Sequence, residues 1–233
     1  MTKSLNEQLQ RHEKRLRKCE PMSLNLYFVR HGETVYSKTG GFCGDLDPEL
    51  TSEGQLMAAD FLTAYRQMEW AAIYASPMKR TMAMAQPLCE AVGIELQLRA
   101  GLKEIQYGEW EGKTLEFVKQ HYSDAYTLWL TEPAWNAPSG GETGLEIANR
   151  ASQVIAEIAA AHKDGNVLIV SHKATIRIAL CHLLGIDLGR YRHRINVLAG
   201  SVSVLKLGDY GPMLELLGDR SYMNEQLRAL PGT

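Results

Sequence analysis

Leu24-Asn25-Leu26-Tyr27-Phe28-Val29-Arg30-His31-Gly32-Glu33-Thr34 is the stretch on which the reading of this chain turns. Residues 24–29 form a short, mostly apolar run that reads as a buried strand. The run stops at a cation, an imidazole and a glycine. In an open α/β sheet, ligands gather at the carboxyl ends of strands. At such an end, Arg30-His31-Gly32 reads as an anion site with a nucleophile in it. Alone, a His beside an Arg is more often an exposed loop pair than a catalyst, so its meaning depends on partners elsewhere in the chain.

Those partners lie at the ends of other predicted elements. Residues 71–75 read as a second strand, ending at Ser76-Pro77 as an N-cap followed by proline at the first helical position. The helix that follows carries Met82, Leu88 and Val92 and stops at Gly93. Arg80 sits near its first turn, where free N–H groups favour an anion. A third strand, 94–98, leads toward Glu104 within an ordered loop, 102–112. Residues 167–170, Val-Leu-Ile-Val, are the best buried parallel-type strand. They follow a turn at 164–166 and end at Ser171-His172, before a helix closed by Gly185. Residues 200–207 and 213–217 pair as an antiparallel hairpin.

Further helices are expected at 52–67, with Ser52 as cap and Gln55 at the capping-box position, at 114–130 and at 142–162. Tyr122, Trp129 and Trp135 either pack as a small lid or fill the core. The alternation of strand and helix argues for an α/β domain with a mostly parallel sheet. If the strands are parallel neighbours, their ends bring two imidazoles, two guanidiniums and one carboxyl together. Two arginine forks can neutralise a phosphate dianion. A histidine can accept a phosphoryl group, and a carboxylic acid can protonate the departing oxygen.

The bulk numbers set limits. The 233 residues are 45% apolar and 22% charged, with net charge −2. That gives no electrostatic case for nucleic acid or membrane binding, and no apolar run reaches the length of a membrane span. The N-terminus shows no apolar h-region. Cys19, Cys43, Cys89 and Cys181 are scattered without a CxxC pair. No metal or cofactor is expected, and a reducing cytoplasm is the expected location. Residues 1–23 carry six basic against three acidic side chains, with Leu5, Leu9, His12 and Leu16 on one helical face. They read either as a solvated helical extension or as a docking helix.

The motifs together resemble the histidine phosphatase superfamily, in the branch containing cofactor-dependent phosphoglycerate mutases and related phosphatases. They run from Phe28 to Thr34, then 47–54, Ser76-Pro77-Met78-Lys79-Arg80-Thr81, Leu102-Lys103-Glu104 through Trp110-Glu111-Gly112, and Val170-Ser171-His172. The resemblance implies a three-layer αβα sandwich over 24–224. It also implies a small helical lid insertion at about 103–145, with 225–233 left as a tail. It implies that His31 takes the phosphoryl group, that Arg30, Arg80 and His172 hold its equatorial oxygens, and that Glu104 is the general acid and then the base. Ser37, Cys43, Gly44 and Lys173 are the further substrate-binding candidates. Ser37 stands where members usually place asparagine. Lys173 stands where many have glycine. Its side chain either reaches an anionic substrate group or points to solvent while its backbone N–H serves the site. Thr81 replaces a smaller residue and leaves Arg80 in place.

The short segment after Gly112 is more like the phosphatases, including the α-ribazole and broad-specificity enzymes, than the mutases. A mutase must shield a phosphohistidine from water, whereas a phosphatase must admit it. The expectation is a phosphatase acting on a small phosphorylated metabolite, possible as a homodimer. The alternatives are a 2,3-bisphosphoglycerate-dependent mutase and a non-catalytic phospho-ligand binder.

Overall fold

The structure, a computed structural model, describes residues 23–232. The expected helix within 1–22 lies outside the described residues. Six strands form one sheet: β1 (Ser23–Arg30), β2 (Ala72–Ala75), β3 (Leu96–Leu98), β4 (Asp164–Ser171), β5 (Val202–Gly208) and β6 (Gly211–Asp219). Their order is β3-β2-β4-β1-β5-β6. The first four are parallel to one another, and the hairpin β5–β6 adds the antiparallel edge.

The helices are α1 (Val35–Thr39), α2 (Ser52–Tyr65), α3 (Lys79–Val92), α4 (Leu115–His121), α5 (Ser123–Thr131), α6 (Gly144–Ala161), α7 (Lys173–Leu184), α8 (Tyr191–Arg194) and α9 (Glu225–Ala229). Helices α6 and α7 cover one face of the sheet, and α2 and α3 the other. Strand alternation feeds both layers. Leu24, Leu26 and Phe28 pack with Ile147, Ile155 and Ile176, while Val29 packs with Phe61 and Met84. In β4, Val167 and Ile169 face the first layer, and Leu168 and Val170 the second. Burial on both faces is why that run is apolar without interruption.

Several boundaries differ from the sequence expectation, each for a local reason. The α2 cap is Thr51 rather than Ser52. Thr51 Oγ1 accepts from the Gly54 N–H and also donates to Glu33, which ties the helix to the loop after β1. Ser76 does not cap α3. That helix starts at Lys79, whose N–H donates to Asp47 Oδ1 at 2.8 Å, so a carboxylate distant in sequence fills the capping role. The expected helix 114–130 breaks at Tyr122, where the ring seats against Trp110 at 6.2 Å between centroids. Residues 164–166 are the start of β4, not a turn, because Ser23–Asn25 offer them a backbone partner.

Within the segment expected as a lid, Trp110, Val118 and Trp129 cluster with Phe42 from outside it, and Tyr122 and Tyr126 pack against them. Trp135 takes no part and is 68% exposed. Residues 225–232, expected as a tail, are packed onto the body. Leu227 is buried with Met57, Ala199 and Met223, and Arg220 donates to three carbonyls of this segment. No helix among the described residues is long and apolar enough to cross a membrane.

Three neighbouring strand ends now lie side by side. Arg30 pairs with Ser171, and Val170 lies between Val29 and Ala75. The His31 N–H donates to the Ser171 carbonyl and the Ser76 N–H to the Val170 carbonyl. Gly32 lets the chain leave β1 against α2: a Cβ there would sit 2.5 Å from the Gly54 carbonyl oxygen.

Candidate active site

His31 is 5% exposed, at the floor of a cavity of about 230 Å3. Its Nδ1 lies 2.7 Å from the Gly32 carbonyl oxygen. A carbonyl only accepts, so Nδ1 carries the proton and donates, and Nε2 keeps its lone pair. Burial, then the Arg80 and Arg30 charges, push the imidazole well below its ordinary pKa and keep it neutral. A neutral imidazole with a fixed tautomer beside two guanidiniums has the chemistry to act as a nucleophile toward an anion.

The guanidiniums are held by backbone oxygens. Arg30 Nη1 donates to Val197 and Gly232 carbonyls at 2.9 and 3.0 Å. Arg80 is 1% exposed and donates from Nη1 to the Leu46 carbonyl, from Nη2 to the Gly44 carbonyl and from Nε to His172 Nδ1. Asp47 stands 3.6 Å from Nη1. An arginine Nε is always a donor, so His172 is unprotonated at Nδ1 and donates from Nε2 to Ser76 Oγ at 2.8 Å. The same burial and the Arg80 charge hold His172 neutral. Its ring centroid is 5.2 Å from that of His31.

Glu104 reaches the cavity from the loop after β3. Its carboxylate accepts from the N–H groups of Ile105, Ala174 and Thr175. The last two are free donors of the first turn of α7, which is where a carboxylate is favoured. The loop itself is fastened by Ser171 Oγ to the Leu102 carbonyl and Thr175 Oγ1 to the Lys103 carbonyl. Arg150 completes the clamp. It donates to the carbonyls of Gly101, Lys103 and Glu104 while pairing with Glu142. Arg150→Met takes this donor from the Gly101 and Glu104 carbonyls, leaves the Lys103 carbonyl to Thr175 Oγ1, and loosens Glu104. The expected result is about 2 kcal/mol lost in stability and about ten-fold lost in kcat with KM little changed. Steady-state kinetics beside urea unfolding separate the two effects. Wild-type kcat in a destabilised Arg150→Met would remove Arg150 from the positioning of Glu104.

The sequence candidates Arg30, His31, Ser37, Cys43, Arg80, Glu104 and Lys173 all line this one cavity. His172 and Gly44 are not among the residues that line it. His172 is fully buried with both nitrogens engaged by Arg80 and Ser76. The Gly44 N–H is taken by Glu111 and its carbonyl by Arg80. A side chain at Gly44 would place Cβ 2.0 Å from the Ile105 carbonyl oxygen, so only glycine fits beneath the arginine. Ser37 serves chiefly the α1 capping box with Thr34. Burial pushes the Cys43 thiol up to about 11, so it stays uncharged.

Sequence reasoning missed Ser76, Arg150, Arg177 and Arg192. Arg177 alone had a usable signal, since it sits four residues after Lys173 on the same helix. Among the described residues, no group of three or more His, Cys, Asp or Glu side chains could hold a metal ion.

Two buried neutral histidines make stability sensitive to acid. The folded pKa of each is depressed, while the unfolded chain takes up protons near 6.5. Below that pH the unfolded state binds more protons, so stability is present above about pH 6.5 and falls as pH drops toward the folded values, by up to about 1.4 kcal/mol per pH unit for each histidine. Thermal melting between about pH 7.5 and about pH 5 checks this; a flat Tm across that window contradicts it.

Residues 26–220 match the histidine phosphatase superfamily, branch 1. Phosphoserine phosphatase 1 of Hydrogenobacter thermophilus is 32% identical over 168 residues, covering 72% of this chain and 80% of that protein. The adenosylcobalamin/alpha-ribazole phosphatase of Salmonella typhimurium is 24% identical over 198 residues, covering 85% and 98%. Among solved structures, YhfR of Bacillus stearothermophilus superposes with a TM-score of 0.81 at 26% identity, covering 86% of this chain and 100% of that one.

Proposed function

The chain belongs to the histidine phosphatase superfamily, and from that premise we propose that it hydrolyses the phosphomonoester of a small metabolite through a phosphohistidine formed on His31. One observation carries this reading: the Nδ1–H bond to the Gly32 carbonyl leaves the Nε2 lone pair of a neutral His31 inside a cavity that Arg30, Arg80 and Glu104 also line.

In the first step Nε2 attacks phosphorus and the P–O ester bond breaks. The leaving oxygen takes its proton from Glu104, which enters this step as the carboxylic acid, the form that the negative charge of the incoming ester favours. Arg30 and Arg80 meet the charge that spreads over the equatorial oxygens, with forks already fixed by backbone carbonyls. His172 contributes by accepting from Arg80 Nε, which sets the plane of that guanidinium. In the second step Glu104, now a carboxylate, takes a proton from water. The hydroxide oxygen bonds to phosphorus, the P–N bond breaks, and inorganic phosphate leaves.

The cavity is below the roughly 300–1,000 Å3 of drug-sized pockets, which suits a small metabolite. The relatives' names point to phosphoserine in one case and α-ribazole phosphate in another. One of these carries a carboxylate and the other does not, so kinship alone does not choose between them. A phosphate-release screen over phosphoserine, phosphoglycerates, sugar phosphates and α-ribazole phosphate tests the reading. Release of phosphate without any 2,3-bisphosphoglycerate is expected. Interconversion of phosphoglycerates that needs the bisphosphate and frees no phosphate would mark a mutase instead.

A further inference from the structure

The cavity holds more positive charge than one phosphoryl group uses. Beyond Arg30 and Arg80, its wall includes Lys173, Arg177 and Arg192. Lys173 and Arg177 are four residues apart on α7 and so share a face. Arg192 comes from α8, its guanidinium lying over the Trp129 ring at 3.8 Å from the centroid.

None of these three forms a salt bridge among the described residues. The polar groups beside the two arginines are neutral: Asn196 Oδ1 accepts from Arg177 at 3.5 Å, and the Tyr191 hydroxyl neighbours Arg192. The Nε atoms of both arginines are buried without a partner. The single acidic side chain in the wall, Glu104, is held by backbone donors at the start of α7 and assigned to proton transfer. Holding like charges together on half-buried side chains, with two buried donors unsatisfied, costs free energy. Such a cluster is retained where a ligand supplies the counter-charge.

We propose that Lys173, Arg177 and Arg192 form a second anion subsite, which selects phosphomonoesters that carry a carboxylate or a second phosphate beside the ester being cleaved. This deepens the phosphatase reading and rests on it for the position of the first phosphoryl group. Arg192 is pre-organised by the indole, since stacking fixes the guanidinium plane while leaving its charge available. Burial, and then the charges of Arg30 and Arg177, pull the Lys173 ammonium down to about 7. An arriving anion restores its charge. The hydroxyls of Tyr107 and Tyr191 stay protonated, because burial raises both, so neither competes for the cations.

The test compares matched substrates that differ by one anionic group. 3-Phosphoglycerate against glycerol 3-phosphate removes a carboxylate. Fructose 1,6-bisphosphate against fructose 6-phosphate removes a phosphate. Wild-type kcat/KM is read by phosphate release, and Kd is read on His31→Ala by calorimetry, so that binding is measured without turnover. In at least one pair, the member with the extra anion is expected to be favoured by about ten-fold or more in both readouts. A carboxylate-only or phosphate-only preference identifies which anion the subsite takes. Arg177→Met is expected to collapse that ratio, mainly through KM, and Arg177→Lys to keep most of it. Equal kcat/KM and equal Kd within both pairs would overturn the subsite while leaving the phosphatase standing. A Kd preference with no phosphate release from any ester would overturn the phosphatase reading while leaving the subsite standing. Should Arg177→Met fail to fold, the wild-type and His31→Ala ratios still decide.

Discussion

His31→Ala is expected to lower kcat/KM on every phosphomonoester by roughly a thousand-fold or more, the loss typical of removing a nucleophile. Neither His172 nor Cys43 is placed to take over. His172 has its Nδ1 committed to Arg80 and its Nε2 to Ser76, and the Cys43 thiol is held uncharged. The variant should still fold. The alanine gives up one hydrogen bond, to the Gly32 carbonyl, at about 1 kcal/mol. It also removes a buried group that resists protonation. Its Tm should therefore fall less than wild type between about pH 6.5 and about pH 5. Phosphate release within ten-fold of wild type would remove His31 from the reaction. A Tm that drops equally for both proteins would move the acid sensitivity to another group.

Glu104→Gln is the second large effect, and its size should depend on the substrate. An amide passes no proton, so esters with an alkoxide leaving group should lose roughly 100- to 10,000-fold in kcat. An aryl ester such as p-nitrophenyl phosphate leaves without a proton, so its first step should survive. Its overall turnover should fail at the second step, where water needs a base. A burst of p-nitrophenol followed by a slow steady rate is the expected time course. The fold should tolerate the change, because the amide oxygen can still accept from Ile105 and Thr175. The amide NH2 would face the Ala174 N–H, at a cost of about 1 kcal/mol. Equal losses on alkyl and aryl esters, with no burst, would assign the proton transfer elsewhere.

What was legible in the sequence follows from what is local. The apolar runs of β1 and β4 announced buried strands, and Arg30-His31 and His172 stand at their ends because the strands lie side by side in register. Gly93 and Gly185 closed their helices as expected, both in the left-handed region. The gathering of His31, Arg80 and Glu104 followed from strand ends and family motifs. The supports of these residues were not legible, because each depends on partners far apart in the chain. Arg150 holds carbonyls 46 to 49 residues away. Asp47 caps a helix 32 residues on. The Ser76 hydroxyl, which local chemistry assigns to a helix cap, is used instead by His172. Arg192 stands in the cavity wall over Trp129, a residue far from it in the chain. Which of the two His31 nitrogens carries the proton is likewise assigned by geometry, through the Gly32 carbonyl that Nδ1 meets.

That proton position gives the most direct test of the central claim, that His31 Nε2 accepts the phosphoryl group. Glu104→Gln is mixed with p-nitrophenyl phosphate, and the reaction is stopped within the burst under alkaline conditions that preserve phosphohistidine. Intact-mass spectrometry, peptide mapping and 31P NMR then locate the label. The account predicts one added phosphoryl group per chain, on the peptide containing His31 and bonded to Nε2. A burst with no phosphoryl group on the protein, or a label on His172 or on Nδ1 of His31, would contradict it.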